Sequence, residues 1–144
     1  MSDAGAIDIA ALIPHAGAMV LLHRVEAWDA DGILCRARSH LDAVNPLRRN
    51  GRLSACCGLE YALQAAALHG ALIAGGVAQR AGYVAALRSV VLHVERLDVT
   101  TLGELRVAAR LERQEAAGII YALSVEAADG TPLLSGRAMV ALPA

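Results

Sequence analysis

The longest apolar stretch of the chain runs from Leu53 to Ala74 and carries one formal charge, Glu60. It consists mostly of alanine and leucine, the strongest helix formers. Ser54 at its start and Gly75-Gly76 at its end are typical helix boundaries. The pattern predicts a helix of some twenty residues, roughly 30 Å long. Because nearly all of its sides are apolar, we expect it to be buried on most faces.

Alternating and β-branched segments on both sides of this helix predict strands. Asp-Gly pairs, at Asp31-Gly32 and Asp129-Gly130, predict hairpin turns within the first and last pairs of strands. A helical turn is expected at 7–12, and a loop with Pro46 and Asn50-Gly51 at 42–52. The predicted strands cover residues 19–28, 33–41, 83–97, 104–114, 118–127 and 132–142.

A single apolar helix among six strands can be buried only if a curved antiparallel sheet wraps around it. This α+β arrangement is the hotdog fold, and we expect it to form one domain over residues 1–144. One sheet cannot enclose the helix completely or protect its own edges. We therefore expect the chain to form an edge-to-edge homodimer or a larger assembly.

The composition excludes several classes of protein. The chain has 144 residues, of which 56 % are hydrophobic and 19 % charged, with a net charge of −1. These values do not fit a disordered or a nucleic-acid-binding protein. The apolar runs are too short for a bilayer span, and the N-terminus lacks the basic region of a signal peptide. We expect a cytoplasmic protein.

The three cysteines predict neither a disulfide framework nor a metal site. Their number is odd, and Cys56 and Cys57 are adjacent. No second group of ligands lies at zinc spacing from that pair. We therefore expect no bound metal.

Glu60 is the first candidate for chemistry. A carboxylate inside an apolar helix loses hydration, and chains rarely keep such a group without a use for it. A catalytic role is therefore our interpretation, and a buried structural hydrogen bond is the alternative.

Segments of the sequence resemble two related families of proteins. The segments LIPHAGAMVLLHRV (12–25) and GLEYALQAA (58–66) resemble the β-hydroxyacyl-ACP dehydratases of bacterial fatty acid synthesis. The segments NPLRRNGRL (45–53) and GYVAALRSVVLHVERLD (82–98) resemble the ApeP-like hotdog proteins of aryl polyene synthesis. Together these segments extend over nearly the whole chain.

The resemblance implies roles for individual residues. Glu60 matches the catalytic carboxylate of the dehydratase helix, and Gln64 matches the glutamine one turn later. Gln64 shares a helix face with Glu60, so it would bind substrate or orient the carboxylate, or else cap a buried polar group. The loop that carries the catalytic histidine of the fatty-acid enzymes is here Asn45-Pro46-Leu47, without histidine.

A second proton-transfer group is needed for dehydration, and His15 is the candidate. The resemblance implies that Pro14 and His15 lie near the mouth of the acyl tunnel. A neutral imidazole suits proton abstraction, although His15 would equally serve to fix the loop through a backbone hydrogen bond. His69 lies nine residues after Glu60, on the opposite side of the helix, and is not expected to pair with it.

The start of the helix offers two further functions. Backbone amides around Ala55 and Cys56 would polarise the carbonyl of a bound thioester, as this end of the helix does in the dehydratases. Arg48, Arg49 and Arg52 would help to dock an acidic carrier protein. An ordinary solvated loop is the alternative for the arginines.

The resemblance therefore implies a dehydratase that acts on a 3-hydroxyacyl thioester. The acyl chain would be carried on the phosphopantetheine of acyl carrier protein or CoA, and no other cofactor is expected. A thioesterase with the same fold is one alternative. A catalytically silent subunit that pairs with a second, active hotdog protein is the other, because the loop histidine is missing.

Overall fold

Helix α2 (Gly58–Ile73) is the central element of the computed structural model, which describes residues 2–3, 7–78 and 83–141. Its sixteen residues correspond to about 24 Å, and a 3-10 turn, Ala55–Cys57, precedes it. The helix ends as predicted at two glycines with positive φ, Gly75 and Gly76, whose amides bond to carbonyls of the last turn.

The described residues form one antiparallel sheet, and its α+β architecture is the hotdog arrangement predicted above. The strands are β1 (Ser2–Asp3), β2 (Arg24–Asp29), β3 (Gly32–Ala37), β4 (Tyr83–Leu92), β5 (Leu105–Glu115), β6 (Gly118–Glu126) and β7 (Pro132–Ala141). Across the sheet they follow the order β1-β2-β3-β5-β6-β7-β4, so β4 lies at one edge. A short helix, α1 (Ile9–Leu12), packs against α2.

Both predicted Asp-Gly turns are present, and short-range hydrogen bonds explain them. The carboxylate of Asp29 accepts from the amides of Asp31 and Gly32, at 2.9 and 3.1 Å. The carboxylate of Asp129 accepts from the amide of Thr131 at 2.9 Å. Aspartate side chains that bond the backbone two residues ahead form such turns from local sequence alone.

The first predicted strand is wrong over its first half. Residues 17–19 form a 3-10 turn, and pairing with β3 begins only at Arg24. Leu21 instead donates its backbone amide to the side chain of Gln64 on α2, at 2.9 Å. A tertiary contact thus replaces the strand that the local pattern favours.

Strand β4 is also shorter than predicted, because it ends at Leu92 and not at Leu97. A bulge at residues 89–90 interrupts its pairing with β7, and Ser89 there has φ of 54°. Gly136 lies opposite the bulge, where an added Cβ would lie 3.2 Å from a methyl group of Val90. Bulges of this kind are common at sheet edges.

The helix covers only part of the inner face of the sheet. It packs against β3, β5, β6 and β7. Residues of β4 that point to the same side remain 40–46 % exposed in the single chain. They are all aliphatic, namely Val84, Leu87, Val90 and Leu92.

Candidate active site

Glu60 lies in the first turn of α2 and is exposed in the single chain. The expectation that the chain itself buries this carboxylate is therefore wrong. The sheet and α1 pack against the helix, but one stripe along α2 and the 3-10 turn before it stays exposed or half-buried in the described part of the chain. The stripe has helical spacing and contains Cys56, Glu60, Leu63, Ala67 and Gly70, all exposed or half-buried.

The composition of this stripe sets Glu60 apart. Its other members are small or apolar, whereas surface stripes of helices are normally polar. The stripe continues towards Ile73, which is 40 % exposed. Glu60 is thus the one charged group on an apolar stripe that the rest of the described chain covers only in part.

The start of α2 is fixed by close packing. Gly58 lies so near Leu134 and Leu97 that an added Cβ would approach a methyl group of Leu134 to 2.2 Å. Both leucines are buried. The first turn, with Glu60, is therefore held against β7 and the segment that follows β4.

Of the two backbone amides at the helix start, one is bonded within the fold and the other is available to a ligand. Ala55 donates its amide to the carbonyl of Glu95 at 3.0 Å, so it is not free to bind substrate, contrary to the prediction. The amide of Cys56 donates to no acceptor among the described residues. The Cys56 side chain is exposed, with its sulfur 3.3 Å from the Ser54 hydroxyl. Cys56 thus retains the donor expected at this end.

Gln64 is buried and has a structural role in the single chain. Its Oε1 accepts from the amide of Leu21 at 2.9 Å, and its Nε2 donates to the carbonyl of Met19. These bonds hold the segment before β2 against the middle of α2. Gln64 makes no hydrogen bond to Glu60 in the described structure, so the capping alternative describes it better than the substrate-binding one.

His15 lies between α1 and the 3-10 turn at 17–19, and its side chain is half-buried. Its Nδ1 is buried without a hydrogen-bond partner among the described residues. Pro14 beside it is exposed. No hydrogen bond or ion pair joins His15 to Glu60 within the described chain, so one subunit alone does not show them as a pair.

The loop without the family histidine has a different function here. The Asn45 side chain is buried and donates to the Tyr61 hydroxyl at 2.9 Å. That hydroxyl is also 2.7 Å from the hydroxyl of Ser39. Burial raises the pKa of Tyr61. These bonds fasten the loop to α2 beside Glu60, and they were not foreseen because they join residues distant in sequence.

Two further histidines are buried away from the exposed stripe. His69 bonds the carbonyl of Asp29 through Nε2, at 2.7 Å, and the Tyr121 hydroxyl through Nδ1, at 2.8 Å. His40 is fully buried, and burial lowers its pKa. Neither lies with Glu60 on the exposed stripe.

The three arginines before the helix do not act together. Arg48 turns inward, where its guanidinium donates to the carbonyls of Asp42 and Gly51 and lies 3.5 Å from a carboxylate oxygen of Asp98. It therefore stabilises the loop. Arg49 and Arg52 are exposed, so only these two remain for docking.

The described residues offer neither a metal site nor a membrane span. No group of three or more histidine, cysteine, aspartate or glutamate side chains is placed to hold a metal ion there. Likewise, none of the helices seen in that part of the chain has the length and apolar character to cross a membrane.

Comparison with a family model decides the family. The model of the ApeP-like family, described as ApeP dehydratase, matches residues 7–144. The chain belongs to the ApeP-like dehydratase family. No curated protein is similar enough in sequence to count as a match.

Solved structures confirm the hotdog fold. The dehydratase heterocomplex ApeI:P from Xenorhabdus doucetiae contains a chain that is 20 % identical, with a TM-score of 0.80 over 94 % of this chain and 91 % of that one. A mutant thioesterase from Pseudomonas aeruginosa is 14 % identical, with a TM-score of 0.59 over 82 % and 78 %. The PaaI protein of E. coli is 10 % identical, with a TM-score of 0.60 over 82 % and 81 %.

Proposed function

We propose that this chain is a subunit of a dehydratase that converts a 3-hydroxyacyl thioester into the trans-2-enoyl thioester. The acyl chain would be carried on the phosphopantetheine of an acyl carrier protein. The observation that carries the proposal is the position of Glu60 on the partly covered apolar stripe of α2, one turn from the free amide of Cys56. Membership of the ApeP-like dehydratase family supports it.

The elimination needs two proton transfers. A base removes the proton from C2, the C2–C3 double bond forms, and the hydroxyl on C3 leaves as water after it receives a proton. Glu60 delivers that proton, and the imidazole of His15 takes the one from C2. The amide of Cys56 donates to the thioester oxygen, on which negative charge develops.

A second hotdog subunit completes the site in this proposal. The stripe with Glu60 and the inner face of β4 are two apolar surfaces that the single chain leaves at least partly exposed. A subunit that pairs with the edge of β4 would cover both and remove Glu60 from bulk water. If the second subunit is another copy of this chain, its His15 would lie near Glu60 at the subunit interface. If it is a different hotdog protein, it would supply another histidine there.

The test is dehydration of a 3-hydroxyacyl chain on purified acyl carrier protein, followed by mass spectrometry as loss of water. We expect Glu60→Gln to lower kcat by about a hundredfold or more, because a positioned acid or base contributes roughly that factor. Glu115→Gln, at an exposed carboxylate on β5, is the matched control and should retain full activity. Full activity in both Glu60→Gln and His15→Ala would overturn the assignment.

Two other outcomes would identify the alternatives. Release of free thiol from a plain acyl-CoA, without dehydration, would indicate a thioesterase, an activity named for one of the structural neighbours. Inactivity alone, with activity that appears on mixing with a second hotdog protein and survives Glu60→Gln, would indicate a silent partner subunit. The absence of a contact between His15 and Glu60 in one described chain favours this second alternative over the first.

A further inference from the structure

A groove of about 320 Å³ lies on the outer face of the sheet, the face turned away from α2. Tyr121 on β6 and Ala138 on β7 are buried on the inner face, and successive residues of a strand point to opposite sides. Their neighbours Ile120 and Met139 therefore point outward, where they line the groove with apolar side chains. Met139 is 37 % exposed, so its side chain is accessible to a ligand.

Three arginines line the same groove. They are Arg88 on β4, Arg113 on β5 and Arg137 on β7, and all three are exposed. Among the described residues that line the groove, the one carboxylate is that of Glu112. Three positive charges and one negative charge leave the lining with a formal charge of +2. A groove of this composition attracts anions.

The ion pairs at the groove leave Arg88 without a counter-charge. Glu112 bonds Arg137 in a bidentate pair, at 2.7 and 3.1 Å. Arg113 lies 3.3 Å from Glu115, but their side chains are 69 and 63 % exposed, and such surface pairs contribute little. Arg88 forms no ion pair with any described residue.

The position of Arg88 makes this charge costly. Arg88 and Arg137 lie directly opposite each other in the pairing of β4 with β7. Like charges in this position repel and weaken the pairing of two strands. Glu112 offsets the charge of one arginine only. An anion bound by both guanidinium groups would remove the remaining repulsion, because arginine bonds phosphate oxygens in bidentate geometry.

The size and the lining of the groove indicate which anion it fits. Its volume is that of a small-molecule pocket, for which about 300–1,000 Å³ is typical. The formal charge of +2 matches a dianionic phosphate group better than a carboxylate, which carries a single charge. Ile120 and Met139 offer apolar contacts that inorganic phosphate cannot use.

We propose that this groove binds a phosphate ester that carries an apolar or aromatic group. Arg88 and Arg137 hold the phosphate. Ile120 and Met139 contact the attached group. The groove lies on the face of the sheet opposite to α2 and Glu60, so binding there is independent of the proposed dehydration. A subunit that adds a strand at the edge of β4 would extend the sheet and leave this face open.

Isothermal titration calorimetry on the full chain tests the ligand class, with adenosine monophosphate, hexyl phosphate and inorganic phosphate as probes. A nucleotide and a lipid phosphate share the proposed chemistry, and the tighter of the two esters identifies the source. That ester should bind about tenfold more tightly than inorganic phosphate, because its attached group buries apolar surface. Equal affinity for inorganic phosphate, or binding of neither ester, would overturn the proposal.

Two variants test the position of the site. Arg88→Gln should weaken binding of the tighter ester by about tenfold, since a charge-assisted hydrogen bond is lost. Glu112→Gln should tighten binding by about threefold or more, because it frees Arg137 and removes a negative charge from the groove. Circular dichroism would confirm that each variant folds. Wild-type affinity in Arg88→Gln would overturn the proposal.

Arg106 and Glu126 provide the matched controls. They form an ion pair at 3.1 Å on the same face of the sheet, outside the groove. Arg106→Gln and Glu126→Gln make the same two charge changes and should leave the affinity within about twofold of wild type. Equal effects in the controls would show a response to net charge alone and overturn the proposal.

Two outcomes would assign the ligand elsewhere. Ester binding that is lost in Glu60→Gln but kept in Arg88→Gln would place the ligand at the candidate active site. Loss of carrier-protein binding in Arg88→Gln, with ester binding unchanged, would assign the groove to an acidic protein. Either result would overturn the proposal. Dehydration that survives Glu60→Gln, with ester binding still dependent on Arg88, would refute the proposed function and leave the groove assigned.

Discussion

Replacement of Gln64 by leucine is expected to cost much of the stability of the domain. Gln64 is 1 % exposed, and so is Leu21, whose amide donates to the Gln64 side chain at 2.9 Å. Leucine has a similar volume but cannot accept that bond. The buried amide of Leu21 would then lack an acceptor, which costs about 1–3 kcal/mol. The carbonyl of Met19 loses its donor as well, but this residue is half-buried and water can reach part of it.

The combined loss is about 2–4 kcal/mol, a large share of the roughly 5–15 kcal/mol that stabilises a typical domain. Urea unfolding followed by circular dichroism would measure it by linear extrapolation, at one fixed protein concentration because assembly also stabilises. Gln114→Leu, at an exposed position on β5, is the control and should change stability by no more than about 0.5 kcal/mol.

The result also separates two roles for Gln64. If Gln64 serves substrate and not the fold, the variant would lose activity while its unfolding midpoint stayed at the wild-type value. That outcome would refute the structural role derived from the two backbone bonds.

Two further predictions concern the segments around α2. Gly58→Ala should lower the free energy of unfolding by about 1–3 kcal/mol, because the new methyl group would overlap the buried Leu134. Gly70→Ala, on the partly exposed stripe, should raise it by up to about 1 kcal/mol. Equal shifts of the melting temperature in the two variants would contradict this. The hydrogen bond from Arg96 holds the pKa of Asp98 well below its usual range. The ionised carboxylate therefore stabilises the fold fully at pH values above its pKa in the unfolded chain, about 4. This stabilisation is lost as the pH falls through the lower pKa of the folded protein. Asp98→Asn should therefore be less stable than wild type at neutral pH and converge with it in acid, and a constant difference in urea midpoint across that range would be the contrary result.

Features set by local sequence were predictable. The turns at Asp31-Gly32 and Asp129-Gly130 depend on aspartate side chains that bond the backbone two or three residues ahead. The helix follows from its alanine and leucine content, and its end follows from Gly75 and Gly76. Alternation of apolar and polar residues along the sequence predicted β5, β6 and β7, and the same residues alternate between buried and exposed positions in the structure.

Features set by distant residues were not. The strand expected from residue 19 does not form there, because the amide of Leu21 donates to the side chain of Gln64. The amide of Ala55 donates to the carbonyl of Glu95 and is not available to a substrate. Arginine in a loop is usually solvent-exposed, but the Arg48 guanidinium bonds to two backbone carbonyls and lies beside the carboxylate of Asp98. The exposure of Glu60 was missed for another reason, since an apolar helix was assumed to be buried entirely by its own sheet.

The bare edge of β4 also matters before assembly. No described residue pairs with the outer edge of β4, so this long strand presents amides, carbonyls and an aliphatic face to which any extended chain can add. Until a partner arrives, such a polypeptide is at risk of aggregation even when its own core is fully formed. The yield of recoverable material should thus depend on how much partner is produced alongside it, more than on the thermodynamic stability of the isolated domain.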